Sequence, residues 1–226
     1  MKSHKPEDRK QKHKILIVDD HPIVRQGLAQ LINQEAGFTV CGEASDIPSA
    51  LQAIRAGDPD IMIVDISLGQ SSGIRLVEEI MSARPSSLIL VLSMHDESLY
   101  AERCFAAGAR GYLMKQEPPE KVILAIKKIL NGEVYISDRL SARLLQKFVT
   151  KQPDAYSSPI ERLSNRELEV FQLIGQGLKT RRIAEELNLS VKTIETYIEH
   201  IKRKMDLDDS RDLILHAVQW HMDKQS

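Results

Sequence analysis

The sequence predicts an α/β doubly wound five-stranded parallel sheet followed by an all-α region of four helices. Three observations carry that prediction. Between residues 14 and 132 five short apolar runs alternate with helix-length amphipathic segments, the pattern of repeated βα units. Three of the runs are continuously apolar, as befits central strands covered on both faces. Beyond residue 160 no strand pattern remains and only helix signals follow. A length of 226 residues fits two modest domains better than one.

Each element has its own justification. The five runs are residues 15–18, 38–41, 61–64, 88–92 and 111–114. Pro22 falls at a first-turn helix position, where its missing N–H costs nothing. Gly57 and Gly108 follow apolar-periodic segments where C-terminal caps belong, and the helix at 119–130 closes with Asn131-Gly132. Residues 133–159 read as a linker with a short helix at about 137–150, carrying Leu140, Leu144, Leu145 and Phe148 on one face; prolines and small polar residues mark 151–159. In the segment 160–226, Ser164 and Glu167 form a capping box, and that helix stops near Gly175 to Gly177. A second runs over about 180–187, Ser190 caps a third to about Met205, and a fourth spans about 210–220.

Composition excludes several functions. Only 4% of residues are aromatic, which disfavours a surface that stacks sugars or single-stranded bases. Basic and acidic residues number 31 and 32, so any DNA footprint must be local. Cys41 and Cys104 lack metal-ligand spacing and read as small packed hydrophobes. The basic, polar residues 1–14 are no secretory signal, and the apolar runs are too short to cross a bilayer. The expectation is a soluble, cytoplasmic protein without a membrane partner.

Chemistry concentrates at the strand ends. Asp19 and Asp20 follow the first run, Asp65 ends the third, Ser93 ends the fourth and Lys115 follows the fifth. Taken singly, Asp20 reads as a cap for the helix entered through Pro22, Ser93 as a cap for the next helix, and Lys115 as a solvated lysine. A parallel sheet, however, brings all these ends to one edge. Three clustered carboxylates call for a hard cation such as Mg²⁺. A carboxylate beside that cation is a nucleophile toward phosphorus, with the lysine and hydroxyl neutralising the phosphoryl oxygens.

These residues resemble a receiver domain of the flavodoxin-like type across essentially all of residues 14–132. The resemblance rests on Ile17-Val18-Asp19-Asp20-His21, Asp65 after its apolar run, Leu92-Ser93, and Gly111-Tyr112-Leu113-Met114-Lys115. It implies that Asp65 is the phosphoacceptor and that Asp19, Asp20, Asp65 and the backbone carbonyl of Ser67 hold Mg²⁺. Ser93 and Lys115 would bind the phosphoryl group, with Tyr112 as the switch aromatic. One departure stands out. Receivers commonly carry Met-Pro after the phosphoacceptor where this chain has Leu68-Gly69, and losing the proline should loosen that loop.

The third helix of the tail divides by angle. Val191, Ile194, Ile198, Ile201 and Met205 form an apolar stripe. Lys192, Thr193, Thr196, His200, Arg203 and Lys204 fall opposite, as a helix lying in a major groove requires. With the short helix and turn before it, this makes a helix-turn-helix. From residue 160 onward there are eleven Lys/Arg against twelve Asp/Glu. Glu199 has Arg203 one turn on, a spacing that favours internal pairing, and a glutamate there could alternatively accept from a cytosine amino group. Arg203 and Lys204, near the helix C-terminus, are expected to meet the DNA backbone. The segment around Leu163, Glu167, Gly177, Ile183, Ser190 and Ile201 resembles the LuxR-type helix-turn-helix, and the whole chain resembles NarL/FixJ-type response regulators. That resemblance implies a promoter-binding transcription regulator of a two-component system and a sensor histidine kinase as phosphoryl donor. It also implies a homodimer on activation through Leu213, Ile214, Ala217 and Val218, and admits RNA polymerase as a further partner. Two rival readings exist: a DNA-binding protein whose receiver is only structural, and a phosphatase passing through an aspartyl phosphate. A phosphatase commonly carries a second aspartate two residues beyond its nucleophile, and that position is Ser67.

Overall fold

The computed structural model describes residues 12–69, 71–95, 97–149 and 159–225, and the chain divides into two compact units, Met1–Ala142 and Arg143–Ser226. The first holds a parallel sheet of β1 (His13–Val18), β2 (Phe38–Ala44), β3 (Ile61–Asp65), β6 (Leu88–Ser93) and β7 (Gly111–Met114), in the order β2-β1-β3-β6-β7. All five expected strands form. The apolar residues of β1, β3 and β6 are almost wholly buried because α1 (Pro22–Gln34), α2 (Ile47–Gly57), α3 (Gly73–Ala83), α4 (Glu97–Ala106) and α5 (Pro119–Leu130) cover the sheet.

Local chemistry sets most helix ends. Pro22 starts α1; an Asp46–Ser49 capping box starts α2. The C-terminal cap expected at Gly57 falls one residue later: Gly57 is the last helical residue and Asp58 takes the left-handed conformation, φ 44°. Aspartate tolerates that conformation because its short side chain can bond locally. Gly108, at φ +108°, does end its segment as expected. The loop after Asp65 carries a short ladder that the apolar runs did not signal. Ser67–Leu68 (β4) and Ser71–Ser72 (β5) pair antiparallel, and Gly69 N–H donates to Asp20 Oδ2 at 2.9 Å.

Packing of the first unit continues past residue 132. Tyr135 is buried in the same core, and it exchanges backbone hydrogen bonds with Arg110 and Tyr112 along the edge of β7. Helix α6 (Asp138–Val149) follows. Of its expected apolar face, Leu140 is buried and Leu145 is 64% exposed; the side chains of Leu144 and Phe148 lie outside the described residues, as does the stretch 150–158.

Within the second unit, Pro159–Arg162 form a 3-10 turn, which the sequence patterns did not signal. The four expected helices follow as α7 (Asn165–Gly175), α8 (Thr180–Glu186), α9 (Val191–Met205) and α10 (Ser210–Gln225). The Ser164–Glu167 capping box forms as read, and Ser190 caps α9. Helix α10 runs five residues beyond its expected end. Its Leu213 and Ala217 are buried, and Trp220 meets Phe171 of α7 edge-on at 5.7 Å. A Cβ at Gly175 would lie 2.5 Å from the Ala217 carbonyl oxygen, so only glycine allows α7 and α10 to cross this closely. Among the described residues, no helix is long and apolar enough to cross a membrane.

Candidate functional site

Strand register assembles the first site. Val18 of β1 is aligned with Val64 of β3, Asp65 with Leu92 of β6, and Ser93 with Met114 of β7. Asp19, Asp65, Ser93 and Lys115 therefore leave the sheet side by side. Two further backbone bonds fix the edge: Lys115 N–H donates to the Ser93 carbonyl at 2.7 Å, and Asp19 N–H to that of Ala44 at 3.1 Å.

Asp19, Asp65 and Ser93 are buried, and the Lys115 side chain is only 7% exposed. The Lys115 ammonium lies 2.6 Å from Asp19 Oδ2 and 2.7 Å from Asp65 Oδ2. The reading of Lys115 as a solvated lysine thereby falls. Burial pushes the Asp65 carboxyl up to about 6 even though Lys115 pulls the other way. Burial also works against the charge on Lys115, but Asp65 and Asp19 outweigh it and hold the ammonium above its ordinary range. Asp20 is not a helix cap: the residue entering α1 is His21, which makes no side-chain cap. The Ser93 hydroxyl accepts from His95 N–H at 3.0 Å. Tyr112 is turned inward, its hydroxyl donating to the His95 carbonyl at 2.7 Å.

Two histidines join the site that sequence reasoning had not assigned. His21 Nδ1 lies 2.7 Å from Asp20 Oδ1 and 3.2 Å from Asp19 Oδ1. Asp19, Asp20, His21 and Asp65 each bring a potential ligand atom within 4.8 Å of the others. The signal was present, a histidine directly after two aspartates. His95 Nε2 lies 2.9 Å from Ser67 Oγ and its ring sits 4.6 Å from that of Tyr100. Nothing in the local sequence marks a contact across 28 residues. The cluster suits a hard divalent cation, because three of its four donors are carboxylates gathered at one place.

The polar face of α9 is less uniform than its angles implied. Lys192, Thr196 and Arg203 are exposed, whereas Thr193, His200 and Lys204 are half-buried. Thr193 is bonded to the Ser190 hydroxyl at 2.7 Å, and Thr196 donates to the Lys192 carbonyl at 3.0 Å. Lys204 is not presented freely to a DNA backbone, since its ammonium lies 2.6 Å from buried Glu167 Oε2. Glu199 pairs with Lys202 at 2.8 Å rather than with Arg203; both spacings meet on one helix face. The apolar stripe is anchored by Ile194 and Ile201, while Val191 is 41% exposed. The four residues expected at a dimer interface differ in exposure. Leu213 and Ala217 face the core of their own unit, and it is Ile214, with Leu215 and Met222, that lies exposed.

Comparison with known proteins accounts for both units. Residues 15–127 match the response regulator receiver domain, and residues 161–217 match the bacterial regulatory proteins of the luxR family. The oxygen regulatory protein NreC of Staphylococcus epidermidis is 35% identical over 210 residues, covering 91% of this chain and 96% of the relative. RcsB of Salmonella enterica serovar Typhimurium, solved on promoter P1flhDC with a phosphomimetic, is 27% identical; the match covers 92% of this chain and 98% of that one, with a TM-score of 0.60. A structure of two RcsB dimers on two parallel DNAs gives a TM-score of 0.56 at 27% identity and the same coverage.

Proposed function

The chain belongs to the response regulators that join a receiver domain to a LuxR-type DNA-binding domain, and from that premise we propose how its own residues carry the function. The family is one of transcription regulators rather than catalytic enzymes. Asp65 accepts a phosphoryl group from a phosphohistidine on a sensor kinase. Its carboxylate oxygen attacks phosphorus, the P–N bond breaks, and the imidazole keeps the electron pair. The observation that carries this reading is the convergence of Asp19, Asp65 and Lys115 within 2.7 Å at one sheet edge.

Lys115, already against the nucleophile, neutralises a phosphoryl oxygen, and Ser93 donates to another. Asp19, Asp20, Asp65 and the Ser67 backbone carbonyl would hold Mg²⁺, which would supply the positive charge that lets an anionic donor approach three carboxylates. Tyr112 follows the Ser93 hydroxyl through His95, which touches both. Residues 14–132 form the receiver, 133–159 the connection and 160–226 the DNA-binding domain. In the latter α9 enters the major groove of promoter DNA, with Lys192 and Thr196 nearest the base edges. Exposed Ile214, beside Val218, supports a homodimer on activation, the state in which RcsB has been seen on DNA. The chemistry is that of a cytoplasmic regulator.

Incubation with acetyl phosphate and Mg²⁺ should add one phosphoryl group, read by intact-mass spectrometry. Labelling of Asp65→Asn at the same level would remove Asp65 from this role, and chelation of the cation should abolish labelling.

A further inference from the structure

Helix α9 has three longitudinal stripes. Ile194 and Ile201 anchor the inner one. Lys192, Thr196, Glu199 and Arg203, spaced i, i+4, i+7 and i+11, are all exposed and form the outer one. Thr193, Tyr197, His200 and Lys204 form a half-buried flank between them. Glu167, the third helical residue of α7, is buried beside that flank. Its Oε2 accepts from Ser164 N–H at 2.6 Å, closing the capping box, and from the Lys204 ammonium at 2.6 Å. His200 Nδ1 lies 3.7 Å from its Oε1.

We infer that Lys204 is a positioning residue: through Glu167 it fixes the recognition helix on α7, and it makes no DNA phosphate contact. The inference rests on the assignment of α9 to DNA. Moving Lys204 to a phosphate would strand the Glu167 charge in a buried place with the capping donors alone, and breaking one partner from a buried pair is strongly unfavourable. Burial pushes the Glu167 carboxyl up, yet Lys204 and the capping donors hold it below its ordinary range, which agrees with a firmly ionised pair. Arg203 differs. It lies on the outer stripe and has no ion pair among the described residues.

The test uses the full-length protein and a fluorescein-labelled 30-base-pair duplex of mixed sequence, titrated by anisotropy at four salt concentrations. Arg203→Gln should lower the slope of log K against log salt by about one unit, the mark of a lost phosphate contact. Lys204→Gln should weaken binding about fivefold with the slope retained, because fewer molecules hold α9 in the competent position. Glu167→Gln should weaken it similarly, and the double variant should lose no more than either single one. Glutamine at this position still accepts from Ser164 N–H, so Glu167→Gln decides the matter even if Lys204→Gln fails to fold. Tighter binding by Glu167→Gln, or a full unit of slope lost in Lys204→Gln, overturns the positioning role. Wild-type affinity and slope in both Arg203→Gln and Lys192→Gln would instead overturn the assignment of α9 to DNA, and this inference with it.

Discussion

Replacing Lys115 by methionine offers the sharpest test of the acidic edge. Its ammonium sits 2.6 and 2.7 Å from two buried carboxylates. At an effective dielectric constant of about 20, each such pair is worth roughly 6 kcal/mol of gross attraction, most of it offset by desolvation. Removing one partner from a buried pair leaves a net cost of about 3–5 kcal/mol. Lys115→Met should therefore destabilise the first unit by about that amount in EDTA. Millimolar Mg²⁺ should return more stability to the variant than to the native chain, because linkage stabilisation grows as RT ln(1 + [L]/Kd) and carboxylates freed of the ammonium bind the cation more tightly. Urea unfolding followed by far-UV circular dichroism reads both units together, so the first unit's transition is the part that Trp220 fluorescence does not share. Fluorescence of Trp220, the single tryptophan, which lies in the second unit against Phe171, supplies an internal control. A loss below about 1 kcal/mol in EDTA, within the range of exposed pairs, would refute the claim of a tight buried cluster. Equal Mg²⁺ stabilisation of both proteins would refute the claim that the cation and the ammonium share the same carboxylates.

Two further outcomes follow from packing. A Cβ at Gly73 would lie 1.8 Å from the Asp65 carbonyl oxygen, so Gly73→Ala must push α3 away from the phosphoacceptor. Labelling by acetyl phosphate should fall at least tenfold, about 1.4 kcal/mol in barrier, and native-level labelling would show that the loop yields without disturbing Asp65. On α10, Ile214→Glu should leave unfolding within about 0.5 kcal/mol of the native chain, as is usual for exposed sites, while abolishing concentration-dependent dimers in sedimentation of the phosphorylated protein. Leu213→Glu, at a buried position, should unfold the second unit; if Ile214→Glu still dimerises, the exposed side of α10 is not the interface.

What the sequence determined by itself was everything that local periodicity and strand order can carry. Continuous apolar runs became the central strands, Ser164 and Glu167 became a capping box, and a parallel arrangement was enough to bring Asp19, Asp65, Ser93 and Lys115 to one edge. The remainder depended on contacts between elements, which periodicity does not encode. Tertiary packing decided that Lys115 bridges two carboxylates instead of meeting solvent, and that His95 reaches Ser67 across 28 residues. It also gave Lys204 to Glu167, 37 residues away. An amphipathic stripe says that a helix has an inside; it does not say which neighbour covers it. Helix α10 shows the consequence: Leu213, Ile214, Ala217 and Val218 read as one surface, yet the closeness of α7 allowed by Gly175 buries Leu213 and Ala217 and leaves Ile214 outside. The dividing line is range, because side-chain patterns report each element's own geometry, whereas burial and pairing are fixed only when the elements meet.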